Sequence, residues 1–107
     1  MKIYIAGKVT GNSNYENDFD EAQRYLASKG HLCMNPAVLP EGFNWEDYIP
    51  ICFKMIDTCD AIYMLKNWID SKGAQAELAY AKAGKKKISF QRIYTNTLIY
   101  NQVPIKD

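Results

Sequence analysis

The sequence predicts an α/β fold, a three-layer sandwich in which helices cover both faces of a mainly parallel sheet of four to five strands. Two observations carry this reading. Short apolar runs rich in β-branched and aromatic residues, such as KIYIAG and AIYMLKNW, alternate with segments of about 10 to 15 residues whose apolar positions recur at helical spacing. Strands separated by such helices form βαβ units, and right-handed crossovers then place the helices on the two faces of the sheet. The chain has 107 residues and is read as one domain over 1–107, because a single hydrophobic core commonly serves a chain of this length.

Each element has its own signal. KIYIAG is a buried first strand that gives way to a loop bearing Gly7 and Gly11. A helix follows from about Asn14 to Ser28, with Phe19, Ala22, Tyr25 and Leu26 as its apolar face and Gly30 just past its end. His31 to Met34 form the second strand. The loop NPAVLPEGFN then leads to a second helix from roughly Trp45 to Thr58, in which Asn44 is the N-cap and Glu46 and Asp47 occupy the dipole-favoured first turn. Pro50 falls early in that helix and predicts a kink or a shifted boundary. AIYMLKNW is the third strand, Ser71 caps a third helix that runs to Gly84, and KKISF is the fourth strand. In the tail 91–107, TLIY reads either as a fifth edge strand or as an oligomer contact made by Tyr94, Leu98, Ile99 and Tyr100.

The expected strand order is 2-1-3-4(-5), a flavodoxin/Rossmann-like arrangement in which ligands bind beyond the carboxyl ends of the strands, near the switch point between strands 1 and 3. That rule sorts the residues by face. Gly7, Lys8, Thr10, Gly11 and Asn12 follow strand 1, Asn35 and Pro36 follow strand 2, and Trp68, Asp70, Ser71 and Gly73 follow strand 3. Asp57, Asp60 and the run Lys85–Lys87 belong to the opposite face.

Composition narrows the partners. Thirteen Lys and Arg against twelve Asp and Glu leave a net charge of +1, which argues against extended nucleic acid and against a polybasic membrane anchor. The three cysteines Cys33, Cys52 and Cys59 form no CxxC pair and His31 is the sole histidine, so neither a disulfide framework nor a zinc site is expected. The opening MKIYIAGKVTG is too soon broken for a secretory signal or a membrane span. A cytoplasmic protein with reduced thiols is the expectation.

One carboxylate stands out. In DSKGAQAELAYAKAGKK, Ala74, Leu78 and Ala81 define the buried stripe of the third helix, and Glu77 falls on the same face. A carboxylate there needs a partner, a route to solvent or a purpose. Ser71 and Gly73 open the same helix and offer hydroxyl and N–H groups to an anion. Tyr4 alternates within a buried strand, where its hydroxyl also needs a partner and a carboxylate would supply one. Trp45 and Trp68 are candidate aromatic walls for a base, or packing over the sheet edge. GKVTGN is neither a dinucleotide fingerprint nor a P-loop, so those modes of phosphate binding are not supported.

The segments IYIAGKVTG, Asn35–Pro36, CDAIYML and W..SKGA..E..YA resemble the nucleoside 2-deoxyribosyltransferase superfamily, which includes the 2'-deoxynucleoside 5'-monophosphate N-glycosidases, over about residues 2–90. The resemblance is nearest to a branch of small bacterial and phage proteins. It implies that Glu77 is a nucleophile toward an anomeric carbon, that Tyr4 orients it, and that Ser71 helps to hold a 5'-phosphate. The residue aligned with the family's leaving-group acid is Cys52, which cannot act as one, so either another acid serves, with Asp47, Glu46 and Asp70 the candidates on the correct face, or this branch has different chemistry. Lys8 and Thr10 stand where phosphate-binding members carry serine and arginine.

The expected activity is therefore N-glycosidic cleavage or transfer on a nucleoside or nucleoside 5'-monophosphate, with no metal or organic cofactor. Glu77 and Tyr4 are the catalytic candidates with Asp70 or Asp47; Gly7, Lys8, Thr10, Gly11, Asn35, Trp45, Trp68, Ser71 and Gly73 are the ligand-binding candidates. The alternatives are a nucleotide-binding module that uses the same cleft without cleavage, and an assembly protein with a vestigial cleft. By resemblance, sites in this superfamily are completed by a neighbouring subunit, which implies a homo-oligomer.

Overall fold

A computed structural model describes residues 1–91 and, as backbone only, 93–95 and 98–100. The order of elements is β1 (Lys2–Ala6), α1 (Tyr15–Ser28), β2 (Leu32–Met34), α2 (Trp45–Asp57), β3 (Ala61–Met64), α3 (Lys72–Ala83), β4 (Lys87–Phe90), β5 (Ile93–Thr95) and β6 (Leu98–Tyr100). Strands β1 to β4 form a parallel sheet in the order β2-β1-β3-β4. β5 and β6 pair antiparallel with each other in a separate two-stranded sheet rather than extending the first. Side chains beyond Gln91, and with them the expected contacts of Tyr94, Leu98, Ile99 and Tyr100, lie outside the described residues.

Alternation along β1 divides the core. Ile3 and Ile5 face α1, where Phe19, Ala22 and Leu26 join Ala61, Tyr63 and Leu65. Tyr4 and Ala6 face α2 and α3, among Cys52, Ile56, Ile62, Met64, Ala74, Leu78 and Ala81. The period of two in a strand sends neighbouring residues into opposite layers, and this places Tyr4 opposite the third helix.

Several boundaries move from their expected places. β3 stops at Met64, and Trp68–Asp70 coil into a 3-10 turn. Leu65 is still buried, with its N–H donated to the carbonyl of Ala6. Pro36–Val38 form a second 3-10 turn, with the Asn35 side chain accepting from the Ala37 N–H. α2 begins at Trp45 as expected and runs through Pro50, so the proline does not displace the boundary. Tyr25 lies at the edge of the α1 stripe rather than within it; it is 40% exposed and packs against Tyr63, with Lys29 over its ring. After α3, Gly84 has φ −82°, and the left-handed residue is Lys85 at φ 56°. No helix among the described residues is long and apolar enough to cross a membrane.

Candidate functional site

Three polar side chains meet beneath the carboxyl end of the sheet. Glu77, from the second turn of α3, is 8% exposed and Tyr4 is fully buried. The Tyr4 hydroxyl donates to Glu77 Oε2 at 2.7 Å. Cys52, from α2, lies beside both in the same buried cluster. Burial disfavours the carboxylate and pushes the Glu77 pKa up to about 7, against the opposing pull of the hydrogen bonds from Tyr4 and Cys52. Burial also pushes the Cys52 thiol up to about 11. Tyr4 is raised well above the usual phenol range, first by burial and then by the neighbouring Glu77 charge. Near neutrality the cluster therefore holds two protonated donors around a carboxyl group that is close to its midpoint.

Above this floor opens a cleft of about 960 Å³. One wall is built from Gly7, Lys8 and Thr10 after β1 and from Asp70, Ser71, Lys72 and Gly73 at the start of α3; Tyr15, Leu39, Pro40, Glu41, Phe43, Trp45 and Tyr48 supply an aromatic and prolyl wall. The wall at α3 follows from how the helix begins. Ser71 Oγ accepts the Ala74 N–H at 3.0 Å, while the N–H groups of Lys72 and Gly73 belong to the first turn and have no intrahelical acceptor. A Cβ on Gly73 would stand 3.4 Å from Trp45 Nε1, so the indole packs closely on the helix start. Gly7 is needed for a similar reason: its Cβ would lie 2.6 Å from Leu65 Cδ1, a separation that the packed core beneath the loop does not allow.

The structure brings together Gly7, Lys8, Thr10, Trp45, Asp70, Ser71, Gly73 and Glu77 around the cleft, with Tyr4 directly behind Glu77. Other sequence candidates have different positions. Asp47 does not line the cleft; its Oδ2 accepts the Asn44 N–H at 3.0 Å and fixes the start of α2. Glu46 does not line it either. Asn35 is buried and bonded to Gln23 and to the Ala37 N–H. Trp68 packs against Phe90, with ring centroids 5.9 Å apart. Gly11 and Asn12 stay in the loop beside Lys8, where Asn12 bonds the Lys8 carbonyl and Asp18.

Residues that sequence reasoning did not assign complete the site. Cys52 appeared as a missing acid and proves to be part of the polar floor. Tyr15 and Glu41 bridge α1 to the loop before α2, the hydroxyl donating to Glu41 Oε1 at 3.0 Å. Tyr48 holds that same loop by donating to the Pro40 carbonyl at 2.6 Å and accepting the Phe43 N–H at 3.2 Å. The one available sequence signal was the density of aromatics around PEGFNWEDY. Among the described residues, no three His, Cys, Asp or Glu side chains converge to hold a metal.

Residues 1–90 match the family model described as "Domain of unknown function (DUF4406)". The chain belongs to that family. In fold it is similar to the 2-desoxiribosyltransferase from Leishmania mexicana, at 24% identity and TM-score 0.66, over 83% of this chain and 62% of that one. It is also similar to the 2-deoxyribosyltransferase from the psychrotolerant bacterium Bacillus psychrosaccharolyticus, at 23% identity and TM-score 0.67, over 84% and 71% of the two chains. A third similar structure is the Clostridium botulinum CMP N-glycosidase BcmB, at 18% identity and TM-score 0.63, over 84% and 70%. This DUF4406 chain spans less than two thirds of the length of the Leishmania protein. At these identities the likeness is one of fold, and it agrees with the superfamily resemblance carried by the sequence motifs. No curated protein matches the chain by sequence.

Proposed function

We propose that the protein cleaves or transfers the N-glycosidic bond of a nucleoside or nucleoside 5'-monophosphate, with Glu77 as nucleophile. The observation that carries this reading is the Tyr4–Glu77 hydrogen bond at the floor of the cleft, because it fixes a buried carboxylate with one oxygen held by a donor. Attack by the carboxylate on the anomeric carbon breaks the C–N bond, and the electron pair leaves with the base. Water then releases the sugar as a hydrolysis product, or a second base takes it in transfer. The buried charge is costly in the ground state and gains a cationic partner as the oxocarbenium-like transition state forms, so its stabilisation is concentrated where the rate is determined. Ser71, Gly73, Lys8 and Lys72 form the polar wall suited to the sugar or its phosphate. Asp70 remains the carboxylate on that wall that fits the role of proton donor to the departing base.

Purified protein incubated with deoxynucleosides, their monophosphates and NAD is expected to release free base, and Glu77→Ala is expected to abolish the release. A silent wild type, or an equally active Glu77→Ala, would contradict the assignment. A second reading, a nucleotide-binding module without cleavage, is favoured by Cys52, whose thiol is pushed up to about 11 and cannot serve as an acid. It predicts ligand-dependent thermal stabilisation with no base released. Assembly as a homo-oligomer belongs to the same proposal and is read by light scattering on the chain with and without residues 92–107.

A further inference from the structure

We infer that Glu41, held by Tyr15, reads the edge of the base and selects bases that carry an exocyclic amine; the inference rests on the nucleoside or nucleotide reading of the cleft. Glu41 stands on the wall formed by Tyr15, Phe43, Trp45 and Tyr48, whose flat side chains suit a planar heterocycle. The adjoining wall carries Lys8, Lys72 and the first turn of α3. A nucleotide with its sugar over Glu77 and its anionic end toward Lys8 and Ser71 would extend its base toward Glu41.

The loop that presents Glu41 is secured on both sides. Tyr48 accepts from the Phe43 N–H and donates to the Pro40 carbonyl, so the two residues flanking Glu41–Gly42 are tied to one hydroxyl. Tyr15, reaching across from α1, donates to Oε1 and leaves Oε2 without a hydrogen-bond partner among the described residues. An ionised carboxylate only accepts hydrogen bonds, and Oε2 has all of its lone pairs available. It therefore favours the amines of cytosine and adenine, and disfavours the carbonyl oxygen that uracil and hypoxanthine present at the corresponding position. A site that hydrogen-bonds one partner discriminates against an analogue that leaves the group unpaired.

The test uses matched pairs differing only at that substituent: deoxycytidine against deoxyuridine and deoxyadenosine against deoxyinosine, each also as the 5'-monophosphate. Base release is measured by chromatography and equilibrium binding by calorimetry, for the wild type, Glu41→Gln, Tyr15→Phe and Glu77→Ala. The amino member is expected to be preferred by about threefold to tenfold in kcat/KM and in Kd, the range for a hydrogen bond formed in competition with water at an exposed group. Glu41→Gln, whose amide both donates and accepts, should bring the ratio close to one; Tyr15→Phe should reduce it by less, and Glu77→Ala should keep the binding ratio while losing base release. Equal ratios in wild type and Glu41→Gln overturn the inference and leave the N-glycosidase reading standing. Selective binding without base release overturns cleavage and supports base selection by Glu41. No binding of any of these ligands overturns both.

Discussion

The two faces of β1 are buried to the same degree and built on different principles. Ile3, Tyr4, Ile5 and Ala6 are all fully buried, yet Ile3 and Ile5 belong to the hydrophobic cluster of Phe19, Ala22 and Leu26 on the α1 side. Tyr4 meets Glu77 and Cys52 on the other side. The α1 face contributes removal of apolar surface from water. The α2/α3 face buries a phenol, a carboxyl and a thiol together, with one hydrogen bond joining the first two, an arrangement that costs stability whenever the carboxylate is charged. One strand thus holds a structural layer and a chemical layer one residue apart, and loss of function and loss of stability should separate along it.

The largest expected effect is on chemistry alone. Glu77→Ala should lower base release by roughly a thousandfold or more, the scale on which loss of a nucleophile is felt, while urea unfolding shows a protein at least as stable at pH 8. On the other face, Ile5→Ala should cost about 2–5 kcal/mol of stability in the same unfolding experiment. Activity per folded molecule should be kept to a far greater extent than in Glu77→Ala. Equal partition of both effects in both variants would erase the distinction between the layers.

Titration sharpens the contrast from the stability side. The Glu77 pKa lies at about 7 in the fold against 4.5 for the free side chain, so between those values the native state binds the extra proton. Stability contributed by the protonated form is fully present below about 4.5 and is lost as pH rises through about 7. The shift corresponds to roughly 3 kcal/mol. Glu77→Gln should therefore gain stability relative to wild type between pH 5 and 8 and match it near pH 4, in denaturant melts across that range. The nucleophilic form is the carboxylate, so the activity of the wild type should rise along a limb with its midpoint near 7.

A smaller effect is expected from Tyr4→Phe. Loss of the donor removes the bond that opposes desolvation, so the midpoint of that limb should move upward. Activity at pH 7 should fall by roughly tenfold, the scale of a hydrogen bond to a charged group, and recover in part at higher pH. An unchanged pH profile would show that the hydroxyl does not tune the carboxylate.

Much of this was legible because its signals are local. Period two in KIYIAG and period 3.6 in AQAELAYA fix which residues share a layer, and the strand order then brings Tyr4 and Glu77 to the same face. The helix start at Ser71 is likewise a short-range signal. The positions of Asp47 and Asn35 were decided by equally local chemistry: a residue three places after Asn44 can cap it, and an asparagine before proline can take the Ala37 N–H. Those two caps are what keep both side chains out of the cleft. Cys52 and the Tyr15–Glu41 bridge were not accessible in this way. Cys52 lies on the same stripe as Ile56, and only packing against α3 shows that this stripe meets a carboxylate. Tyr15 and Glu41 are 26 residues apart, and their meeting depends on the path of a loop with no periodicity.

The central claim, that Glu77 attacks the sugar, is tested most directly by trapping the bond it would form. The protein is mixed with a deoxynucleoside 5'-monophosphate, quenched in acid within one turnover, digested and read by mass spectrometry. The expected result is a deoxyribosyl phosphate adduct on the peptide containing Glu77, absent from Glu77→Ala. Base released at an undiminished rate by Glu77→Ala, or an adduct on another residue, would contradict it.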